Sequence, residues 1–325
     1  MKMDSRGRPK VTVGIVTRNR LENLLQAIRS VYAQEFDDLE ILVVDNASED
    51  GTAETLRRDY PDIRVIRLQE NLGCPGGRNH VYANSRGDYI VNLDDDGYLG
   101  DGTLGRLVET FESDASIGIV GLRQLDFTEH LPSELPDSCW DTGLFRGGMS
   151  AFRWSMLEEI GVYPDDFFFF KEEEFLSLKA LDAGWRIVYH PGIIMYHPLM
   201  EKQHSTDRSR DYYLYRNPLL VVVTLFPGLY MWKYLFLRTM SYAIWAFRRG
   251  SFQVYLRAIG AVVAKLTRTL FHRHPVNPVA LRRYFALRGR LPFPGEKSGF
   301  RQTILGLRDR RRKGRPGASG RSMSS

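Results

Sequence analysis

The feature that most constrains the fold is the alternation of apolar runs and helical repeats between residues 10 and 122. Five short runs have the composition of buried strands, and between them apolar residues recur every three or four positions, as in helices with one packed face. Strands that alternate with helices form a mostly parallel sheet flanked by helices, so we predict an α/β fold. The predicted strands are 11–16, 39–44, 63–68, 89–93 and 117–122, and the clearest helical repeats are 21–32 and 104–111.

Polar residues follow four of these predicted strands. Thr17 and Arg18 come after the first, Asp45 after the second, Asn71 after the third and residues 94–96 after the fourth. Ligands of parallel sheets bind beyond the carboxyl ends of the strands. Asp and Asn also end strands and cap helices, and that alternative explains any single loop. It explains four converging strand ends less well, so we predict a binding crevice at this edge.

Three consecutive carboxylates, Asp94, Asp95 and Asp96, end the fourth strand. Adjacent like charges repel one another unless a cation relieves the repulsion. Mg²⁺ takes oxygen ligands and keeps positions open for substrate phosphates, so one or two carboxylates are a sufficient protein contribution. We predict a Mg²⁺ or Mn²⁺ site in this Asp-x-Asp motif, with Asp96 as the main ligand. The alternative is an acidic turn that opens the next loop.

Residues 218–247 are strongly apolar but are interrupted by Pro227, Gly228, Lys233 and Arg238. A spanning helix needs roughly 20 apolar residues in succession. We therefore expect no membrane-spanning helix here, and a re-entrant or surface-lying segment remains open.

The next stretch, residues 252–273, has an apolar stripe at helical spacing with basic residues elsewhere on the helix. A basic amphipathic helix beside aromatic residues is typical of an element that lies on an anionic membrane surface. A helix packed on the main domain, with its basic face in solvent, is the alternative. The stripe consists of Phe252, Leu256, Ile259, Val263, Leu266 and Leu270, and the basic residues are Arg257, Lys265, Arg268 and Arg273.

Composition excludes several classes of protein. The two cysteines, Cys74 and Cys139, fit neither a disulfide framework nor a zinc site. The net charge of +6 indicates an anionic partner, but no zinc-finger, RNP or helix-turn-helix pattern accompanies it, so nucleic acid is not expected. The N-terminus, MKMDSRGRPK, lacks the apolar core of a signal peptide. We expect a cytoplasmic protein, peripheral on the inner face of the cell membrane.

Six motifs carry a family resemblance. In chain order they are VTRNR, VVDNASEDGT, NLGCPGGRN, YIVNLDDDG, RGGMSAFR and FFFFKEEEFLSLKALDAGWRIVYHP. Their order and spacing, from about residue 11 to residue 217, resemble the family-two inverting glycosyltransferases. That resemblance implies a GT-A fold, a nucleotide-diphosphate sugar as donor and a divalent metal ion.

The resemblance also implies roles for individual residues. Thr17 and Arg18 would lie beside the nucleoside, Asp45 would accept a hydrogen bond from the base, and Asp94 would meet the ribose or the sugar. A glycine-containing turn over residues 76–79 would line the nucleotide. The implied donor-site residues are Thr17, Arg18, Asp45, Asn71, Gly77, Arg78, Asp94 and Asp95. The implied metal ligands are Asp94, Asp96 and His197, with His204 a second candidate.

The family's catalytic acidic pair falls on Glu172 and Glu173. Glu173 is then the expected general base, although the family usually has Asp there, and Phe175 replaces the next acidic position. Favourable charge in a first helical turn is the alternative role for these residues. The Gln-x-x-Arg-Trp motif of processive synthases is missing, so we expect one sugar addition per encounter.

We therefore predict a metal-dependent, inverting glycosyltransferase that modifies a glycan or a lipid-linked acceptor. The alternatives are a sugar-phosphate nucleotidyltransferase and a non-catalytic sugar-nucleotide-binding membrane scaffold. The predicted regions are a polar arm (1–10), a GT-A domain (11–217) with a nucleotide-sugar half (11–122) and an acceptor half (123–217), an apolar and amphipathic helical extension (218–295) and a basic disordered tail (296–325).

Overall fold

The structure, a computed structural model, describes residues 8–127, 129, 138–197 and 210–288 of the 325-residue chain. The first seven residues of the predicted N-terminal arm, His204 and the whole of the predicted basic tail lie outside the described residues.

One nine-stranded sheet organises the molecule, with strand order β3-β2-β1-β4-β8-β6-β9-β5 and β7 paired to β9. All five predicted strands are present. The sequence RIVYH also predicts a strand, which is the start of β9, whereas the three short strands β5, β7 and β8 were not predicted. The bounds are β1 Val11–Thr17, β2 Leu39–Asp45, β3 Arg64–Arg67, β4 Tyr89–Asp94, β5 Tyr98–Leu99, β6 Ile117–Leu125, β7 Trp140–Asp141, β8 Met149–Arg153 and β9 Arg186–Tyr196.

The first four strands are parallel, as predicted, and their register brings their carboxyl ends to one edge. Thr17 pairs with Asp45 across β1 and β2, and Val16 pairs with Asp94 across β1 and β4. Strand β8 then runs antiparallel between β4 and β6, so the whole sheet is mixed. The polar residues that follow β1, β2 and β4 consequently meet at one edge of the sheet, the place of the predicted crevice.

Helices cover both faces of the sheet because strand side chains alternate between the faces. Val13 and Ile15 join the core under α1 and α4, whereas Leu42 and Val44 join the core under α3, α5, α6 and α7. The bounds are α1 Leu21–Tyr32, α2 Thr52–Asp59, α3 Gly73–Asn84, α4 Thr103–Ser113, α5 Trp154–Ile160, α6 Glu172–Asp182, α7 Asp211–Leu225, α8 Gly228–Arg249, α9 Phe252–His272 and α10 Pro278–Arg288.

The prediction of a turn over residues 76–79 is wrong, because these residues lie inside α3. Glycine is a poor helix former, costing about 1 kcal/mol relative to Ala. Close packing explains its use here. A Cβ atom at Gly77 would lie 2.5 Å from Val16 Cγ1, so the glycine lets α3 approach β1. The residues of this motif therefore reach the crevice from a helix.

The apolar region after residue 217 forms separate helices. Helix α7 runs across the predicted boundary between residues 217 and 218, and Pro227 separates it from α8. No helix in the described part of the chain combines the length and the apolar character needed to cross a bilayer.

The burial of individual side chains in α9 bears on its two predicted positions, on a membrane surface or packed on the main domain with its basic face in solvent. The helix packs on its neighbours through Tyr255, Ala258 and Val262. Within the predicted stripe, Leu256 and Val263 are exposed. The helix therefore packs on the domain mainly through residues outside the predicted stripe, and part of that stripe faces solvent with the basic residues.

Candidate functional site

The centre of the crevice is a cluster of Asp94, Asp96 and His197, at the ends of β4 and β9. One ligand atom from each residue lies within 4.8 Å of the others. His197 Nε2 is 3.1 Å from Asp96 Oδ1 and 3.7 Å from Asp94 Oδ2. Carboxylate oxygens suit Mg²⁺ and Mn²⁺, and imidazole is compatible with the softer of the two. The three predicted metal ligands thus come together, and their donor atoms fit such an ion.

The carboxyl of Asp96 stays ionised in this cluster. Burial acts to raise its pKa, but the hydrogen bond and charge of His197, together with Arg20, outweigh burial and lower the pKa. Arg20 Nη1 lies 2.8 Å from Asp96 Oδ2. Arg18 and Arg20 belong to the same VTRNR motif and both are exposed, but only Arg18 was predicted as a site residue.

Asp95 has a different environment from its two neighbours. It is buried, it accepts a hydrogen bond from Thr17 Oγ1 at 2.8 Å, and Arg20 Nη1 lies 3.2 Å away. Burial raises its pKa to about 6. Asp95 therefore joins the ends of β1 and β4 and helps to position Arg20 beside Asp96.

Arg78 and two glycines hold Asp94 in place. Arg78 is buried in α3, and its Nη2 donates to Asp94 Oδ1 at 2.8 Å. The backbone of Gly147 and Gly148 lies directly against this pair, since a Cβ atom at Gly147 would overlap Arg78 and one at Gly148 would overlap the Asp94 carboxylate. The RGG motif is thus required where the chain passes closest to the carboxylates.

Replacing Gly148 by Ala is expected to weaken Mn²⁺ binding by about 10–100-fold, the usual effect of losing a group that orients a metal ligand. The added methyl would displace Asp94. Electron paramagnetic resonance of free Mn²⁺ measures the change. Gly105→Ala is the matched control, because among the described residues no heavy atom beyond its chain neighbours and the backbone of its own helix lies within 4 Å of the added Cβ. Equal Mn²⁺ affinities for both variants would contradict this account of Asp94.

The first turn of α6 directs its three glutamates to different places. Glu173 is half-buried, and its Oε1 accepts a hydrogen bond from Gly147 N at 3.3 Å. Glu172 is buried, with Oε1 3.8 Å from Arg78 Nη1. Glu174 is also buried and pairs with Arg238 of α8. Of the three, Glu173 is the one placed beside the crevice with exposed surface.

The raised pKa of Glu172 makes the stability of the protein depend on pH. Burial, and next the charge of Glu173, raise this pKa to about 8. The native protein then keeps a proton that the unfolded chain releases above a pH of about 4.3. Stability linked to Glu172 is therefore present at low pH and is lost as the pH rises towards about 8.

Glu172→Gln is expected to remove that dependence, because an amide keeps the shape and does not ionise. Between pH of about 5 and about 8, the free energy of unfolding should fall less in the variant than in the wild type. Urea unfolding at the two pH values measures the difference. The exposed Glu158→Gln on α5 is the control. Parallel pH profiles for the wild type and Glu172→Gln would refute the assignment.

The backbone before α6 is strained and is held from α7. Phe170 and Lys171 have φ values of +69° and +72°, which residues other than glycine rarely adopt. The amide of the buried Asn217 donates to Phe169 O at 2.7 Å and to Phe170 O at 3.0 Å. Such strain persists only where surrounding contacts maintain it. Asn217 therefore positions the start of α6, and nothing in the sequence pattern indicated it.

The predicted nucleoside residues line the β1 and β2 side of the crevice. Asp45 is fully buried, its Oδ1 accepts from Ser48 N at 2.8 Å, and among the described residues its Oδ2 has no hydrogen-bond donor. Arg67 Nε is 4.0 Å from that oxygen. Asn71 Oδ1 accepts from Gly73 N at the start of α3. Asp45 thus retains a buried acceptor atom beside Thr17.

Sequence comparison matches residues 12–169 to the family described as Glycosyl transferase family 2. A curated relative, the GalNAc(5)-diNAcBac-PP-undecaprenol beta-1,3-glucosyltransferase of Campylobacter jejuni, is 36% identical over 106 residues, which cover 31% of this chain and 34% of the relative. The chain spans about a third of the length of the curated relatives it matches first.

Two solved structures share the fold at low sequence identity. Staphylococcus aureus TarS 1–349 in complex with UDP-GlcNAc has a TM-score of 0.57 at 17% identity and covers 79% of this chain and 81% of its own. The mannosyltransferase PcManGT from Pyrobaculum calidifontis, in complex with GDP-Man and Mn²⁺, has a TM-score of 0.53 at 17% identity and covers 92% of this chain and 84% of its own. The predicted GT-A fold is confirmed.

Proposed function

Because residues 12–169 belong to glycosyl transferase family 2, we propose that this chain moves one sugar from a nucleotide-diphosphate sugar to an acceptor hydroxyl. The observation that carries the proposal is the arrangement around Gly147 and Gly148. The candidate metal ligand Asp94 lies against one glycine, and the candidate base Glu173 accepts a hydrogen bond from the other. A donor site and a proton acceptor are thus neighbours in one crevice.

The donor would bind at the edge formed by β1, β2 and β4, which makes residues 11–122 the nucleotide-sugar half. Asp45 Oδ2 is a buried acceptor for a base N–H. Asp94, Asp96 and His197 would hold Mg²⁺ or Mn²⁺. When bound, the ion supplies positive charge to the diphosphate leaving group. The proposed nucleoside and sugar contacts are Thr17, Arg18, Asp45, Asn71, Gly77, Arg78, Asp94 and Asp95.

The acceptor would bind in the half formed by residues 123–217, next to Glu173. Glu173 takes the proton of the acceptor hydroxyl as its oxygen forms a bond to the anomeric carbon. The bond from that carbon to the diphosphate oxygen breaks in the same step, and its electron pair leaves with the diphosphate. Attack opposite to the leaving group inverts the anomeric carbon. Glu172, which holds a proton at neutral pH, is a positioning residue for Arg78.

The names of relatives support a proposal for the class of acceptor. The Campylobacter relative carries in its name an undecaprenol-linked glycan. We propose a glycan or lipid-linked acceptor of the same chemical class, in glycan or polysaccharide biosynthesis at the inner face of the cell membrane. The missing Gln-x-x-Arg-Trp motif favours a single addition per encounter.

A panel of nucleotide-diphosphate sugars tests the proposal by release of nucleoside diphosphate, with Mn²⁺, with Mg²⁺ and with a chelator. We expect metal-dependent release from one donor class and none from Asp96→Asn. The product's anomeric configuration, read by nuclear magnetic resonance, tests inversion. Release of pyrophosphate from a nucleoside triphosphate and a sugar phosphate would instead establish the nucleotidyltransferase. Binding of a donor without any turnover, with the acceptor present, would establish the scaffold.

A further inference from the structure

Helix α8 presents an apolar face to solvent. Leu229, Phe236 and Phe247 are 86%, 64% and 77% exposed, and their spacing places them on one side of the helix. The helix packs on the protein through the opposite side, where Met231 and Ala246 are buried. The exposed apolar residues of α8 are Leu229, Tyr230, Trp232, Phe236, Leu237, Met240, Ile244, Trp245 and Phe247.

Helix α9 extends this apolar surface with the stripe read from the sequence. Phe252, Leu256, Val263 and Leu270 are exposed, whereas Ile259 and Leu266 are half-buried. A monomeric soluble protein rarely exposes an apolar surface this extensive unless it binds something there. We call the exposed apolar side chains of α8 and α9 the α8/α9 face.

The charge of the same helices identifies the partner. Residues 212–295 contain no Asp or Glu. Two exposed cations, Lys233 and Arg248, lie on α8, and three, Arg257, Lys265 and Arg268, lie on α9, where Lys265 also pairs with Asp166. The Lys and Arg residues between 228 and 272 are Lys233, Arg238, Arg248, Arg249, Arg257, Lys265 and Arg268. Helices that expose aromatic and aliphatic residues together with cations, and carry no acidic residue, match a surface of anionic lipid.

We propose that the α8/α9 face docks on an anionic bilayer, with both helices lying in the lipid interface. Neither helix is apolar enough to cross a bilayer, which agrees with a position in the interface. This inference rests on the proposed function in one respect: docking would bring the crevice to a lipid-linked acceptor. A second copy of the chain is disfavoured as the occupant, because two acid-free basic surfaces repel each other.

A buried ion pair ties the docked helices to the crevice. Arg238 of α8 pairs with Glu174 of α6, and Arg238 Nη1 also donates to Pro218 O of α7 at 2.7 Å. Glu174 follows Glu173 directly in α6. The helix that carries the candidate base is therefore fixed to the helix that meets the lipid.

Flotation of the purified chain with vesicles tests the docking. One set contains phosphatidylglycerol mixed with phosphatidylcholine, and the other contains phosphatidylcholine alone. We expect binding to the anionic set, a loss of at least tenfold in Trp232→Glu/Phe236→Glu and a smaller loss in Arg257→Glu/Arg268→Glu. The matched controls, Phe127→Glu and Arg29→Glu/Arg57→Glu, replace exposed residues elsewhere and should bind like the wild type.

Equal flotation of the wild type and Trp232→Glu/Phe236→Glu would overturn the proposal. So would light scattering that shows a dimer of the wild type dissociated by the same substitutions without any vesicle binding. Circular dichroism confirms that each variant folds. Nucleoside-diphosphate release in solution, without vesicles, is measured on the same samples. It tests the proposed function separately, because the α8/α9 face takes no part in donor binding.

Discussion

Replacing Glu173 with Gln is expected to lower kcat by roughly 10²–10⁴-fold, the usual contribution of a general base. Gln has the same size and its Oε1 can still accept the hydrogen bond from Gly147 N, but its amide cannot take a proton from the acceptor. The affinity for the nucleotide sugar should stay unchanged, since the proposed base contacts the acceptor. Steady-state kinetics with the identified donor and acceptor measure the first effect, and calorimetric titration measures the second.

Glu158→Gln, an exposed change of the same chemistry on α5, is the control and should have wild-type kinetics. A near-normal kcat in Glu173→Gln would mean that Glu173 is not the general base. If that variant folds but loses its affinity for the donor, Glu173 contacts the donor and not the acceptor.

Replacing Arg238 with Met is expected to destabilise the protein by about 3–5 kcal/mol, the typical result of leaving one partner of a buried ion pair uncompensated. The side chains of Arg238 and Glu174 are 11% and 2% exposed. Burial acts to raise the pKa of Glu174, but Arg238, followed by Lys171 and Arg288, outweighs burial and lowers the pKa to about 2. Arg238 is the strongest influence that lowers this pKa, so without it the buried carboxyl must either stay charged without its main partner or take up a proton. Urea unfolding measures the loss.

Glu174→Gln and the double variant complete the test. Because the two residues are in contact, the double variant should lose less stability than the two single variants together. Arg248→Met, an exposed change on the same helix, should lie within about 0.5 kcal/mol of the wild type. Additive losses would mean that the pair does not stabilise the contact between α6 and α8.

The strands of the N-terminal half were predictable because burial on a parallel sheet leaves a short apolar run with polar residues directly after it. Val11–Thr17 and Tyr89–Asp94 are of this kind. Helix α3 was not predictable by the same reasoning, because its glycines signal a turn, and only the close contacts of Gly73, Gly76 and Gly77 with Phe168, Leu72 and Val16 explain them. Strand β8 was missed because five residues within a loop carry too little periodicity.

The site was predictable where residues follow strand ends or match a motif. Asp94, Asp96 and His197 were named together, and they meet in the structure. Arg20 and Asn217 were missed because their roles depend on contacts between distant parts of the chain. Arg78 was predicted to contact the nucleotide, and its partners in the structure are Asp94 and Glu172. Sequence patterns identify where a residue lies more readily than which side chains it touches.

The most direct test of the central claim is thermal unfolding with nucleotide-diphosphate sugars, with and without Mn²⁺, for the wild type and Asp96→Asn. A ligand of the native state at a hundredfold excess over its Kd stabilises by about 2.7 kcal/mol. We predict that one donor class raises the Tm of the wild type only when Mn²⁺ is present, and that Asp96→Asn does not respond. A cooperatively unfolding wild type that responds to no nucleotide sugar, or an Asp96→Asn variant that responds like the wild type, would contradict the assignment of the donor site.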